Sequence, residues 1–132
     1  QKTLYLCNER FWEKQGIKGG ASATDEMIQM ISYPSDHAFC NSNSLGCSAE
    51  ELGVLLASYN IDQDALRLGN SLPISQRRII NRLVEEIHGL PKGYLNDKII
   101  AAKTVDWSRE MWAHGAFAYF LPGQKKNFLY VS

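Results

Sequence analysis

The sequence predicts an α+β domain in which helices flank a mixed, largely antiparallel β-sheet. Three short apolar runs without helical spacing predict strands at residues 3–7, 53–59 and 99–102. One stripe of apolar residues at helical spacing predicts an amphipathic helix over residues 74–88. Because these strands and helices follow one another unevenly along the chain, an α+β arrangement is favoured.

Length and composition limit the classes of protein that need to be considered. The chain has 132 residues, enough for a single domain covering residues 1–132. It has 14 basic and 14 acidic residues, so no net charge would attract a nucleic acid or an anionic membrane. No apolar run approaches the roughly 20 residues that a membrane span needs. The chain starts at Gln1 without a signal-like segment, so we expect a piece of a longer, cytoplasmic protein, with a secreted location left open.

The first half of the chain contains mainly short elements. Residues 11–15 predict a helical turn that ends at Gly16, and residues 18–22 predict a loop. Residues 27–33 alternate imperfectly in polarity and are predicted to form a strand that ends at Pro34.

The second half contains the clearest elements. The continuous apolar run at residues 53–59 is typical of a central strand. Asp62 is predicted to cap a short helix that ends at Gly69. A last short strand is predicted over residues 127–131. Five polar side chains of the helix over residues 74–88 lie largely off its apolar stripe, and the arginines among them are predicted to form a solvated face; the five are Arg77, Arg78, Arg82, Glu85 and Glu86.

Residues 107–124 concentrate aromatic side chains among small residues and end in a turn at Pro122-Gly123. Large rings separated by small residues suit the floor of a ligand pocket. They equally suit a tightly packed turn in the core, and composition alone favours that second interpretation.

No motif in the residues themselves identifies a reaction. Cys7 is predicted to be a buried apolar side chain. Cys40 and Cys47 could form a disulfide in an oxidising compartment, but free thiols are expected in a cytoplasmic protein. A zinc site that includes His37 is disfavoured by the spacing, so no metal site is predicted. The scattered histidines, His88 among them, are predicted to be surface residues or to have satisfied hydrogen bonds.

Several segments resemble the flavin-dependent L-amino-acid oxidases. The segment FWEKQGIKGGASATD at residues 11–25 is similar to their FWEddGIhGGxSxTD, and ISYPS at residues 31–35 resembles their IYYPS. GVLLASYN at residues 53–60 resembles the strand that follows. DWSREMWAHGAFAYFLPGQ at residues 106–124 is similar to their DWsxepyaxGAfaxfxPGQ. The order and spacing of these matches span nearly the whole chain, and the bacterial branch of this flavin amine oxidase family fits best.

The resemblance implies that the chain is the substrate-binding portion of a larger flavoenzyme. Such enzymes oxidise an L-amino acid by hydride transfer from Cα to flavin N5. The resulting imine hydrolyses to a 2-oxo acid and ammonia, and oxygen re-oxidises the flavin to give hydrogen peroxide.

The resemblance also assigns roles to individual residues. Lys2 lies where the family places a lysine that holds a water against the flavin, and Tyr59 lies where a tyrosine binds the substrate carboxylate, after a one-residue shift. Phe117 lies where an apolar residue lines the side-chain pocket. Gly115 would let the backbone approach the ligand, and Tyr119 is included among the substrate-binding residues.

The motifs that would hold the flavin pyrophosphate and ribose do not occur in these 132 residues. We therefore expect that FAD binds the full-length enzyme and that this chain alone binds no FAD and is inactive. The expected partner is a flavin-binding domain or chain of the same enzyme, and a homodimer could cover the exposed face. The alternative interpretation is a self-standing α+β domain that binds a small ligand or a protein without catalysis.

Overall fold

A computed structural model of the chain describes residues 1–36, 48–113, 115 and 120–127. Its strands are β1 (Lys2–Cys7), β2 (Ala21–Ala23), β3 (Met30–Ser32), β4 (Gly53–Tyr59) and β5 (Ile99–Val105). Its α-helices are α1 (Phe11–Lys14), α2 (Asp62–Gly69), α3 (Pro73–Ile87) and α4 (Gln124–Asn127). A short 3-10 helix, Tyr94–Asp97, precedes β5.

The strands form one sheet in the order β2-β3-β4-β1-β5. All four strand pairings among the described residues are antiparallel. The sheet with its helices confirms the predicted α+β class, and β4 occupies the predicted central position. The sheet is therefore built around β1, each of whose residues pairs with both β4 and β5.

The two faces of the sheet differ in burial. Alternate residues of β1, namely Thr3, Tyr5 and Cys7, are buried on the face that α3 covers, where the Tyr5 hydroxyl donates to Asn81 at 2.8 Å. The residues between them are only half-buried. We call the second side of the sheet the open face; it carries Lys2, Leu4, Leu6, Val54, Leu56 and Tyr59. Apolar burial on the covered face stabilises the fold, whereas the side chains of the open face are only half-buried.

The β2–β3 hairpin differs from its prediction. Residues 21–23 form β2 instead of a loop, and β3 is shorter than the predicted strand over residues 27–33. The reason is a turn that closes when the N–H of Thr24 donates to the carbonyl of Gln29 at 2.9 Å. Ile28 lies in that turn and is fully buried, so its apolar character reflects core packing and not strand structure.

Two polar residues of the helices also depart from expectation. Asp62 is not a cap: Ile61 precedes α2 without a side-chain capping bond, and Asp62 itself has φ of 53°. Glu85 is not solvated but 4% exposed, because its carboxylate accepts the backbone N–H groups of Gly93 and Leu95, both at 2.9 Å. The periodicity of the sequence reveals neither the backbone conformation of Asp62 nor the buried hydrogen bonds of Glu85.

The aromatic segment at residues 107–124 is not a tightly packed core turn where it is described. Trp112 is 90% exposed, and Trp107 and Phe120 are also exposed. The turn at Pro122-Gly123 is confirmed, with a φ of 86° at the glycine. Trp112 therefore presents nearly all of its apolar surface to solvent, and Trp107 and Phe120 present part of theirs.

Several predictions fall on residues outside the described part of the chain. These include the Cys40–Cys47 pair, His37 and residues 128–131 of the last predicted strand, whose first residue, Asn127, ends α4. Cys7 is fully buried, as predicted. Within the described ranges, no helix is long and apolar enough to cross a membrane.

Candidate functional site

Lys2 and Tyr59, which the sequence assigns to one site, are direct neighbours on the open face. They lie opposite each other in the antiparallel pairing of β1 with β4. The Nζ of Lys2 lies 4.6 Å from the centroid of the Tyr59 ring, a cation–π contact. Both side chains are half-buried. The fold thus brings an ammonium group and a phenol together at one end of the two central strands.

A β-bulge makes Tyr59 face the open side. Leu56 and Ser58 pair with consecutive residues of β1, so Ala57 between them has no partner in that strand. Ala57 and Ser58 are both fully buried, which breaks the alternation of the strand. Because side chains alternate between faces, this extra residue turns Tyr59 to the open face. The one-residue shift required by the sequence resemblance occurs at the position of this bulge.

The polar atoms of Lys2 and Tyr59 are available to other groups. Among the described residues, neither the Lys2 ammonium nor the Tyr59 hydroxyl has a hydrogen-bond or ion-pair partner. An ammonium offers three donors, and a phenol hydroxyl can both donate and accept. Together they can hold a water molecule or a carboxylate against the open face.

The remaining predicted site residues belong to the segment after β5. Phe117 and Tyr119 lie outside the described residues. Gly115 is exposed, and no described atom lies within 4 Å of a Cβ placed on it. Its approach to a ligand stays a prediction, as do the roles of the two aromatic residues.

The covered face beneath Tyr59 is unusually polar for a core. Ser58 and Asn60 are fully buried, and Gln1 is 6% exposed. Within the described ranges, the Ser58 hydroxyl, the Oδ1 of Asn60 and both ends of the Gln1 amide have no hydrogen-bond partner. Buried polar groups are almost always hydrogen-bonded, so these atoms are free to bind ordered water or a polar ligand group. Such exceptions are typical of functional regions.

A charge cluster that sequence reasoning missed lies at the opposite end of β1. Glu9 accepts hydrogen bonds from Lys14 at 2.7 Å, Tyr94 at 2.6 Å and Lys98 at 2.9 Å. The bond from Lys14, followed by those from Tyr94 and Lys98, lowers the pKa of Glu9 to about 2. Burial, followed by the bond to Glu9, raises the pKa of Tyr94 to about 12. Every member is engaged with another, so the cluster links α1 to the residues around β5 and is structural.

His88 also has a structural environment. Its Nε2 lies 3.0 Å from the Tyr33 hydroxyl, and its Nδ1 lies 2.7 Å from the Oε1 of Gln15. The ring packs edge-on against Phe11 at 5.2 Å. Burial lowers the pKa of His88 below its usual value. The prediction of a histidine with satisfied hydrogen bonds is therefore confirmed.

Arg10 is a second structural residue that the sequence did not reveal. It is fully buried, and its guanidinium donates to the carbonyls of Ser48 and, at 2.8 Å, Leu52. It also lies 3.1 Å from the Glu13 carboxylate. The sequence feature that corresponds to the buried Arg10 is Gly53 at the start of β4, because the absence of a Cβ there leaves room for the Cγ and Cδ atoms of the arginine.

Across the described ranges, no group of three or more His, Cys, Asp or Glu residues could hold a metal ion.

Curated proteins similar to this chain in sequence include several L-amino-acid oxidases. An L-amino-acid oxidase of Siganus canaliculatus is 36% identical over 123 residues, which is 93% of this chain and 21% of that protein. An L-amino-acid oxidase of Pseudechis australis is 31% identical over 130 residues, covering 98% of this chain and 23% of that protein. The chain thus spans about a quarter of the length of the curated relatives it matches. No family model matches the sequence.

The same fold is found in a solved structure. A putrescine oxidase bound to putrescine superposes with a TM-score of 0.68 at 19% identity, over 96% of this chain and 25% of that one. This likeness concerns the fold, and the sequence matches concern the family. Together they support a fragment of the flavin amine oxidase family, similar in sequence to L-amino-acid oxidases and in fold to a putrescine oxidase.

Proposed function

We propose that the chain is the substrate-binding part of an FAD-dependent L-amino-acid oxidase. The complete enzyme would convert an L-amino acid to a 2-oxo acid, ammonia and hydrogen peroxide. The observation that carries the proposal is the contact between Lys2 and Tyr59 on the open face, with the Nζ 4.6 Å from the ring centroid. The 36% identity with an L-amino-acid oxidase supports the amino acid as substrate class.

In this proposal Tyr59 binds the substrate carboxylate. Its hydroxyl would donate a charge-assisted hydrogen bond, the stronger kind of hydrogen bond in proteins. The cation of Lys2 next to the ring favours an anionic group at the same place. The substrate's α-carbon is then oriented by its carboxylate and by the side-chain pocket that we assign to Phe117, Gly115 and Tyr119.

The residues present also suit a flavin placed against the open face. FAD, when bound, accepts the hydride from the substrate. Lys2 has donors that no described residue uses, so it could hold a water beside the reacting atoms. The partner in this proposal is the flavin-binding domain or chain of the same enzyme. A homodimer, the bacterial branch of the family and a cytoplasmic location stay predictions.

The test uses the complete oxidase, by which we mean the polypeptide that carries this chain together with flavin-binding residues. Purified with FAD, it should consume L-amino acids and release ammonia and hydrogen peroxide in equal amounts. Lys2→Met should slow turnover while the bound flavin keeps its absorbance. Oxidation of putrescine or other amines without activity on any L-amino acid would overturn the proposed substrate class.

A further inference from the structure

The end of β4 that carries Tyr59 is supported by strand pairing on one side only. On the β1 side, pairing continues through Lys2 and Tyr59, and Gln1 and Asn60 then exchange backbone hydrogen bonds of 2.9 and 3.2 Å. On the β3 side, the register contains the single pair Ser32 and Leu56. Beyond that pair, the backbone leading to Tyr59 needs another partner.

The side chain of Gln29 binds the backbone just beyond the end of β4. Its Oε1 accepts the backbone N–H of Ile61 at 3.2 Å, and its Nε2 lies 3.3 Å from the carbonyl of the same residue. The Nε2 also donates to the Asp64 carboxylate at 2.9 Å. Next to it, the side chain of Asn60 donates to the carbonyl of Met27 at 3.0 Å. Through these hydrogen bonds, the turn between β2 and β3 binds the two residues that follow Tyr59.

The backbone around this contact is strained. Gln29 has φ of 55° and Asp62 has φ of 53°, and they are the two non-glycine residues with positive φ in the described part of the chain. Residues with a Cβ seldom adopt that conformation, and it persists where surrounding contacts fix it. Strain of this kind clusters at sites whose geometry matters for function.

We propose that Gln29 is a positioning residue that fixes Tyr59 on the open face by holding the backbone of Ile61, two residues further along the chain. Its side-chain amide binds both backbone polar groups of Ile61, and its own backbone adopts a strained conformation at that contact. The inference rests on the proposed function of Tyr59 in binding the substrate carboxylate. Gln29 itself need not touch the substrate.

The first test compares two glutamines in the complete oxidase. Gln29→Met keeps a similar length but removes all the side-chain bonds, so Tyr59 should shift and the KM for an L-amino acid should rise about tenfold, with kcat within about twofold. Gln15→Met is the matched control, because Gln15 bonds the carbonyl of His88 at 2.9 Å at the opposite end of the sheet. It should leave KM unchanged. Equal KM values for Gln29→Met, Gln15→Met and the unaltered enzyme would overturn the inference.

The second test is a rescue, which a merely structural role would not produce. Gln29→Glu keeps the acceptor for Ile61 but sets a carboxylate against Asp64, so KM should rise about tenfold. Combining it with Asp64→Asn restores a hydrogen bond with donor and acceptor exchanged. That double variant should return KM to within about threefold of the unaltered enzyme. Failure of Asp64→Asn to lower the KM of Gln29→Glu contradicts the clamp.

Failure of the proposed function can be told apart from failure of the clamp. If the complete oxidase leaves L-amino acids unchanged, the function is wrong, and NMR of the 132-residue chain decides on Gln29. Nuclear Overhauser contacts between the Lys2 side chain and the Tyr59 ring should be present in the unaltered chain and in Gln15→Met. They should be lost in Gln29→Met and in Gln29→Glu. Their persistence in both Gln29 variants would overturn the inference.

Discussion

Glu9 shows how one buried carboxylate can organise its surroundings. Its side chain is 10% exposed and binds Lys14, Tyr94 and Lys98 at once. Removing a partner from such a group leaves other charges without compensation. The sequence did not identify the cluster, because Tyr94 and Lys98 are distant from Glu9 along the chain and meet it only when β1 pairs with β5.

We predict that Glu9→Gln lowers the free energy of unfolding by about 2 kcal/mol at pH 7, since it weakens hydrogen bonds to charged groups. The pKa of Glu9 in the folded chain, about 2, lies below that of an unfolded glutamate. Its stabilisation is therefore fully present above about pH 5 and is lost as the pH falls toward 2. Urea unfolding at pH 7 and pH 3 should show a smaller gap at pH 3. Glu86→Gln, on the exposed side of α3, is the control, and an equal gap at both pH values would contradict this account.

Gly53 provides a second prediction for a single residue. A Cβ there would lie 2.3 Å from the Cγ of Arg10, whose side chain is fully buried and cannot move aside. Gly53→Ala should therefore destabilise the chain by about 2 kcal/mol, as overpacking does. Thermal or urea unfolding measures the loss. Gly115→Ala is the control, since no described atom lies within 4 Å of its added methyl group.

The same Gly53→Ala substitution should cost much less when Arg10 is already alanine, because the atoms that clash are gone. A double-mutant cycle over Gly53 and Arg10 tests this. Additive effects of the two substitutions would show that the arginine stem does not cause the strain.

At the level of elements, the sequence predicts β1, β4, β5 and α3 well, because their apolar patterns are long and consistent. It does not predict the bulge in β4. Simple alternation from Val54 through Leu56 would put Ser58 on the open face and Tyr59 in the core. Only the register with β1, a contact distant in sequence, inserts Ala57 and reverses the two. The short β2–β3 hairpin was mispredicted for a similar reason, since its apolar Ile28 packs in a turn.

The bulge leads to a prediction for β4. Deleting Ala57 should remove the bulge and restore regular alternation, with Ser58 still opposite Thr3 and Tyr59 still opposite Lys2 on the open face, whereas deleting Ala57 and Ser58 together should turn Tyr59 toward the covered face and abolish its contact with Lys2. Nuclear Overhauser contacts between the Lys2 side chain and the Tyr59 ring measure this, with circular dichroism to establish that the sheet persists. Ala57→Gly keeps the residue count and should keep the contact. Loss of the contact on deleting Ala57 alone, or its persistence on deleting both residues, in a chain with an intact sheet, would refute the role of the bulge.

At the level of the whole molecule, one covered face provides stability and one open face presents the candidate site. Resemblance to the family pointed to Lys2 and Tyr59, and the sheet brings them together across its two central strands. Gln29 and Asn60 were not predicted from the sequence, since hydrogen bonds between a turn and the end of a distant strand leave no pattern. The chain spans about a quarter of the length of its curated relatives, and it contributes the open face to the candidate site.

The central claim is that Tyr59 binds the carboxylate of an L-amino acid on the open face. Tyr59→Phe in the complete oxidase removes a single hydroxyl and leaves the ring beneath Lys2. The loss of a hydrogen bond to a charged group should raise the KM for an L-amino acid by about ten- to a hundredfold, with little change in kcat. A KM for Tyr59→Phe equal to that of the unaltered oxidase would contradict the claim.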